Sequence, residues 1–322
     1  MTTIIVKLLL SEVPEMAKKF FLKQPMMRKV IYALLPILVF AVGNFGWVVF
    51  SKVLLSIVIS VFVEWLFESK KGKPVSEAAI VTGFLIGLIL PPAVPFWIVV
   101  VSSSFAIVFA KMAFGGFARN LYNPALVGRA FVYVSFPAAV QQSWTPAVQS
   151  WGQGFTRWIS SDIITMATPA NIIRGGGEVN AWRMIFGNIA GSSGETAKWL
   201  IAAAAVYLIM TKVASWKIMV STLVSAFVMS GIIFIFDPSR MNPFHWMIGG
   251  SIMFGAVFMA TDPISAPKKD RAKWIYGAMI GSLAVIIGTF SLFGAGLMFA
   301  VLIANTFASL LDYLSTPEKV KA

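Results

Sequence analysis

Thr168 stands in the run Asp162-Ile163-Ile164-Thr165-Met166-Ala167-Thr168-Pro169, between a small residue and a proline. Two chemistries suit it. Its hydroxyl can cap a helix whose first position is Pro169. The hydroxyl is also sterically open and could be esterified by a phosphate group, whose charge helix N-terminal N–H groups would favour. Three acids stand in or beside apolar stretches, where ionisable groups are rare and can mark an ion path: Glu64, Glu195 and Asp262. Each also has a plainer role. Glu64 can snorkel to water near the end of its stretch. Glu195 can complement a helix dipole from a first turn, and Asp262 can cap ahead of Pro263. His245 is the single histidine, and there is no cysteine. The chain therefore supplies neither bis-histidine haem ligation nor thiolates for an iron–sulfur cluster. Redox chemistry here would require an organic cofactor.

The elements that must position these residues are membrane helices. Of the 322 residues, 58% are hydrophobic and 12% charged, against about 45–50% and about 25% in soluble domains. Ten apolar stretches cover 30–47, 53–67, 76–90, 96–114, 124–140, 197–210, 218–236, 246–260, 274–290 and 295–314. They are apolar at consecutive positions, whereas strands of a membrane barrel would alternate. The expected fold is an all-α integral membrane protein of about ten transmembrane helices. Placing both termini on the cytoplasmic side puts 20 of the 26 basic residues inside, as the positive-inside rule requires. Arg129 and Lys111 are counted inside, Lys52 and Lys198 outside. The rule accounts for the net charge of +13 without nucleic acid.

The chain then divides into a cytoplasmic amphipathic lead-in (1–29) without a cleavable signal, five spans (30–140), an outer-face loop (141–196), five spans (197–314) and a cytoplasmic tail (315–322). The loop carries Thr168 and four tryptophans. Trp144, Trp151 and Trp158 are seven residues apart, which would align them on one side of a helix; with Trp182 they suit an interfacial anchor. Leu90-Pro91-Pro92 closes the third stretch and Thr261-Asp262-Pro263 the eighth, five spans apart. A five-plus-five inverted repeat of the kind found in transport folds would place them so.

The run at 162–168 resembles the covalent flavin-attachment motif D-x-x-[ST]-G-A-T of the RnfD and NqrB subunits of the Rnf and Na+-translocating NADH:quinone oxidoreductase complexes. Asp162, Thr165, Ala167 and Thr168 match it, and Met166 replaces the usual glycine. Further segments are similar to that family: Gly115-Gly116-Phe117-Ala118-Arg119-Asn120-Leu121-Tyr122-Asn123-Pro124-Ala125, then Gly191-Ser192-Ser193-Gly194-Glu195-Thr196, and Phe258-Met259-Ala260-Thr261-Asp262-Pro263-Ile264-Ser265-Ala266-Pro267. Lys273-Trp274-Ile275-Tyr276-Gly277 follows at the expected place. Read without the family, Gly115 and Gly116 suit a tight turn, and Asn123-Pro124 a cap with its first-turn proline.

The resemblance covers nearly the whole chain, and the length, with no long N-terminal extension, fits the RnfD branch better. It implies FMN bound through a phosphoester to Thr168 and a second, non-covalent flavin, typically riboflavin, in the bundle. It further implies residence in the bacterial inner membrane. The implied partners are other Rnf-type membrane and peripheral subunits, among them a second FMN-bearing subunit, and a flavin transferase for maturation. Such a subunit would serve a ferredoxin:NAD oxidoreductase that moves Na+ or H+, or, in the NqrB branch, quinone reduction. It would not be catalytic alone. A secondary transporter or channel without redox chemistry would share the ten spans and glycine-rich breaks, and an inert scaffold the spans alone; neither accounts for the attachment motif.

Overall fold

Pro25 opens the first helix, at the one helical position where the missing N–H of proline is harmless. The computed structural model describes residues 20–160, 172, 179–240, 242–291 and 296–316. Helix α1 runs over Pro25–Phe45, ahead of the apolar run at 30–47, and α2 over Trp47–Glu68. Between them Gly46 has φ +95, and a Cβ there would stand 2.6 Å from the Trp158 carbonyl oxygen. Only glycine fits that hinge.

Helix α3, Glu77–Ile89, is buried on every side but one residue. It stops at Leu90-Pro91-Pro92, where proline can donate no further helical bond. Helix α4, Phe96–Ile107, continues into a π turn, Val108–Met112. Helix α5, Pro124–Ser135, is capped by Asn123 and gives way at Phe136 to a short α6, Pro137–Gln141. There follow α7 (Ala181–Phe186), α8 (Lys198–Met210), α9 (Trp216–Phe236), α10 (Pro243–Gly249), α11 (Ile252–Phe258), α12 (Asp270–Phe290) and α13 (Gly296–Leu314). Two residue pairs form a parallel ladder, β1 Phe21–Leu22 with β2 Val75–Ser76, joining the lead-in to the α2–α3 link.

All ten apolar stretches are helical, but not all are single helices. Among the described residues five helices are long and apolar enough to cross a membrane: α1, α2, α9, α12 and α13. Helices α3, α4 with its π turn, and α8 are shorter apolar helices. The stretch 124–140 is broken ahead of Pro137, and 246–260 is broken at Gly250-Ser251 into α10 and α11. Such breaks free backbone groups that lipid cannot satisfy, so they must be covered by protein.

The packing of the two sets of helices runs parallel. In the first, α2 lies against α3 and α4, α4 against α5, and α1 against α3. In the second, α9 lies against α11 and α12, α12 against α13, and α8 against α11. Close approach depends on small residues: a Cβ on Gly83 of α3 would meet the Ile57 backbone at 2.6 Å, and one on Gly277 of α12 the Ile218 carbonyl oxygen at 2.8 Å. The outward faces carry large apolar side chains such as Tyr32, Phe62, Ile235 and Phe236. Serines and threonines lie inward. Along α2 the buried face reads Lys52, Ser56, Ser60, Glu64, Glu68, one residue every four. Ser56 bonds Ser103 of α4 at 2.8 Å. This polar stripe packs against backbone with no gap at Gly83, as interhelical polar glue does.

Candidate functional site

At one end of the bundle the lysine-bearing links α2–α3, α8–α9 and α11–α12 come together. Arg28 Nε donates to Glu77 at 2.8 Å, tying α1 to α3, and Lys29 Nζ reaches the Thr211 carbonyl at 3.3 Å. Asp312 near the end of α13 accepts the backbone N–H groups of Lys268 and Lys269, at 2.9 and 2.8 Å.

Just inside this end Glu64 does not snorkel to water. It is 1% exposed and paired with Lys111, also 1% exposed, at 2.6 Å. The π turn in which Lys111 sits holds an extra residue, and such turns commonly mark re-aimed side chains. Its ammonium also donates to Ser76 Oγ at 2.6 Å and lies 5.9 Å from the centre of the Phe117 ring. Glu64 Oε1 accepts the Ser76 N–H at 3.0 Å. Both oxygens are thus engaged. Gly115 and Gly116 make the tight turn expected of them, with φ of 102 and 98. The carboxylate of Glu68 packs against Gly116 and pairs with Lys71 at 3.2 Å.

Asn123 is the expected cap, accepting from the N–H groups of Ala125 and Leu126 at 3.0 and 3.4 Å. Its amide also donates to the Met259 carbonyl at 3.3 Å, and its N–H bonds Asn305 at 3.2 Å. Asn305 in turn donates to Tyr276 Oη at 2.6 Å. The start of α5, the end of α11, α12 and α13 are bound in one network. Asp262 closes the turn beyond α11: its carboxylate accepts from Ser265 Oγ at 2.7 Å and from the Ile264 N–H at 3.4 Å. The helix cap expected of Asp262 is absent, because the residues after Pro263 form a turn and not a helix; its carboxylate closes that turn instead. Between these groups lies a small recess of about 60 Å³, largely apolar, with Lys111, Asn120, Asn123 and Asp262 at its polar side and Val81, Leu85 and Phe258 on its walls.

The other end is built differently. The segment after α6 follows no helix that would align Trp144, Trp151 and Trp158; among the described residues there, the only regular turn is a 3-10 turn, Gln153–Thr156. Its backbone is instead sewn to the end of α1. Val148 N–H bonds the Asn44 carbonyl at 3.0 Å, Ser160 N–H the Phe45 carbonyl at 2.9 Å, and Asn44 Nδ2 the Gly187 carbonyl at 2.9 Å. These tertiary bonds outweigh the sequence period. Asp162, Thr165, Ala167 and Thr168 lie outside the described residues. Ser160 before them and Asn180 after them flank parts that belong to this end of the bundle, Asn180 capping α7.

From Ala190 to Ala197 the chain is non-helical yet largely buried. The Gly194 N–H bonds the Leu88 carbonyl near the end of α3 at 2.9 Å. Glu195 pairs with Arg129 at 3.0 Å, and the same guanidinium reaches Ser192 Oγ at 3.4 Å. Arg129 is therefore no loop charge; it lies within α5. Lys198 is buried at the start of α8 and donates to the carbonyls of Glu195 and Gly250, each at 2.6 Å. The second carbonyl is one freed by the α10–α11 break. Lys52 does the same for Pro92 beyond α3, its ammonium 5.5 Å from the Phe96 ring centre. Arg129 Nε and Thr196 Oγ1 are buried without a hydrogen-bond partner among the described residues. His245 caps nothing with its ring; its N–H is held by Asn242 on α10, at 2.9 Å.

The structure thus joins Glu64 with Lys111 and Glu195 with Arg129, while Asp262 makes no ion pair among the described residues and shares the polar side of the recess with Lys111. Sequence reasoning missed Lys52, Lys111, Arg129 and Lys198, which it counted as loop charges. The signal was their position in or beside apolar stretches. Removing two from each side leaves the charge bias unchanged in direction.

Long apolar helices, buried helix breaks and polar groups turned inward define a polytopic helical membrane protein. The model of the NQR2, RnfD, RnfE family matches residues 11–321, and the chain belongs to that family. It is 35% identical over 284 residues to the B subunit of the Na(+)-translocating NADH-quinone reductase of Pseudomonas aeruginosa, covering 83% of this chain and 67% of that one. It is 34% identical over 310 residues to the D subunit of the ion-translocating oxidoreductase complex of Alcanivorax borkumensis, covering 90% of each.

Proposed function

We propose that the chain is a flavin-carrying membrane subunit of an ion-translocating electron-transfer complex of the Rnf, ferredoxin:NAD type, with FMN esterified to Thr168. The observation that carries this reading is the alignment with a D subunit over nine tenths of both chains. The family's attachment pattern falls on Asp162, Thr165, Ala167 and Thr168. FMN would supply electron transfer; the protein supplies its position and surroundings. The flanks of the attachment segment lie at the end remote from the lysine-rich links, which supports a flavin on the outer face, both termini inside and a bacterial inner-membrane location.

The parallel packing of the two helix sets supports ten crossings arranged as a five-plus-five repeat. The proposed subunit carries a second, non-covalent flavin, typically riboflavin, within the bundle; the recess between α1, α3, α5, α8 and α11, at about 60 Å³, is too small to hold it as it stands. Glu64, Glu195 and Asp262 remain the acids through which ion movement would respond to flavin charge, which requires each redox state to favour one conformation. Partners would be the other Rnf-type subunits, including the second FMN-bearing one, and a flavin transferase acting across the Met166 variant of the motif.

The 35% identity with the B subunit of a quinone reductase favours NqrB-type service as the second reading. The broken α10–α11 pair would also suit a transporter without redox chemistry. In-gel flavin fluorescence separates these. Protein made with its own flavin transferase should fluoresce after denaturation, and Thr168→Ala should abolish the signal. A dark wild-type band would remove the covalent flavin from the proposal.

A further inference from the structure

The α8–α9 turn and the α11–α12 link leave a groove between them at the lysine-rich end. It holds about 1140 Å³ of open volume. Lys212, Lys217, Lys268 and Lys273 line it with a single acid, Asp270. Asp270 is already shared by two of these lysines, at 2.6 Å from Lys217 and 3.6 Å from Lys273. Lys212 and Lys268 have no ion-pair partner among the described residues. Lys212 has φ +57, a left-handed turn that sets it at the groove edge.

Two further features fix the depth of this groove. Trp216 and Trp274 meet edge to face with centroids 5.7 Å apart, and they are 48% and 41% exposed. Exposed tryptophans on a membrane bundle mark the headgroup level. Ile209 and Trp216 line the groove beside the lysines, so cationic and apolar walls adjoin. The floor is rigid: Ser221 Oγ bonds the Trp274 carbonyl at 2.5 Å where α9 and α12 are in close contact.

We propose that this groove binds one anionic phospholipid, its phosphates among the four lysines and its acyl chains along the α9–α12 surface. Basic pockets between membrane helices suit diacidic headgroups. The excess of four cations over one acid matches a lipid with two phosphates, such as diphosphatidylglycerol, better than a zwitterionic one. A free phosphate would use the lysines and leave the apolar wall uncovered. The inference needs only that the chain lie in a bilayer, and it stands or falls independently of the flavin.

The test is native mass spectrometry of the full chain taken from nanodiscs of phosphatidylcholine with a minor fraction of diphosphatidylglycerol. One diphosphatidylglycerol should be retained per chain, and millimolar inorganic phosphate should not displace it. The double variant Lys212→Gln, Lys268→Gln removes two charges that make no ion pair, and should lower retention roughly tenfold. Lys212→Arg with Lys268→Arg should restore it. Should the glutamine variant fail to fold, raising salt on the wild type gives the same readout, because screening weakens surface charge. Unchanged retention in the glutamine variant or in high salt would overturn the proposal. So would displacement by phosphate, or an equal loss in a Lys70→Gln, Lys71→Gln, Lys73→Gln control.

Discussion

Glu64–Lys111 and Arg129–Glu195 are both acid–base pairs inside the bundle, yet they are finished to different degrees. In the first, both carboxylate oxygens and the ammonium have partners, drawn from α2, the π turn and the start of α3. In the second, Arg129 Nε and the neighbouring Thr196 Oγ1 have no partner among the described residues, and the acid sits on non-helical chain. Buried polar groups without partners cost about 1–3 kcal/mol each. A complete network holds one geometry; an incomplete one, on chain without helical bonds, is easier to rearrange. The Glu64–Lys111 pair is therefore part of the frame, and the Arg129–Glu195 pair is the one of the two that rearranges at less cost.

The comparison breaks first, if it breaks, at Lys111. Lys111→Met leaves a buried carboxylate short of its cation and should cost roughly 3–5 kcal/mol, read as a large fall in the unfolding midpoint in detergent. Adding Glu64→Gln should recover much of it. A single variant as stable as wild type would deny the frame role.

At the other end the effects should be smaller. Glu195→Gln keeps the volume and leaves Arg129 with Ser192 and Oε1 in neutral form, a loss of about 1–3 kcal/mol. Ion uptake by vesicles carrying the whole complex should fall further than the midpoint suggests; equal uptake would take Glu195 off the path. Gly128→Ala tests the same pair without touching a charge. A Cβ there would collide with the Ser102 carbonyl oxygen and stand 2.9 Å from the Ala106 Cβ, so α5 must shift off α4, at about 1–3 kcal/mol. Loss of uptake in this variant with normal flavin content would show that the placement of Arg129 matters. Asn123→Ala removes a cap at the frame end and should cost about 0.5–2 kcal/mol, measured by the same melt. Asp237→Asn, at an exposed pair with Arg240, should leave the midpoint unchanged and serves as the baseline.

Much of this was legible in the residues. The Gly115-Gly116 turn, the Asn123-Pro124 cap and the place of the long apolar helices follow from local chemistry, because glycine, proline and capping side chains act on the backbone nearest them; the short α7, inside the expected loop, does not. The four misjudged cations were not, because a charge at the edge of an apolar run can either face water or fold inward. The helix proposed for the spaced tryptophans failed for a related reason: its backbone found better partners on Asn44 and Phe45 than in its own turns.

By itself the sequence determined that the chain lies in a membrane, that its apolar runs are helical and which family it belongs to. These depend on composition, period and motif, all of which are one-dimensional. Only the tertiary structure decided that two of those runs are broken helices, that Lys198 satisfies a carbonyl freed by one break, and that Lys52 satisfies the Pro92 carbonyl beyond α3. It alone decided that Glu64 has a cation and not water for company. In a medium that offers no hydrogen bonds, each polar group must find its partner within the protein, and partners distant in sequence meet only when the helices pack.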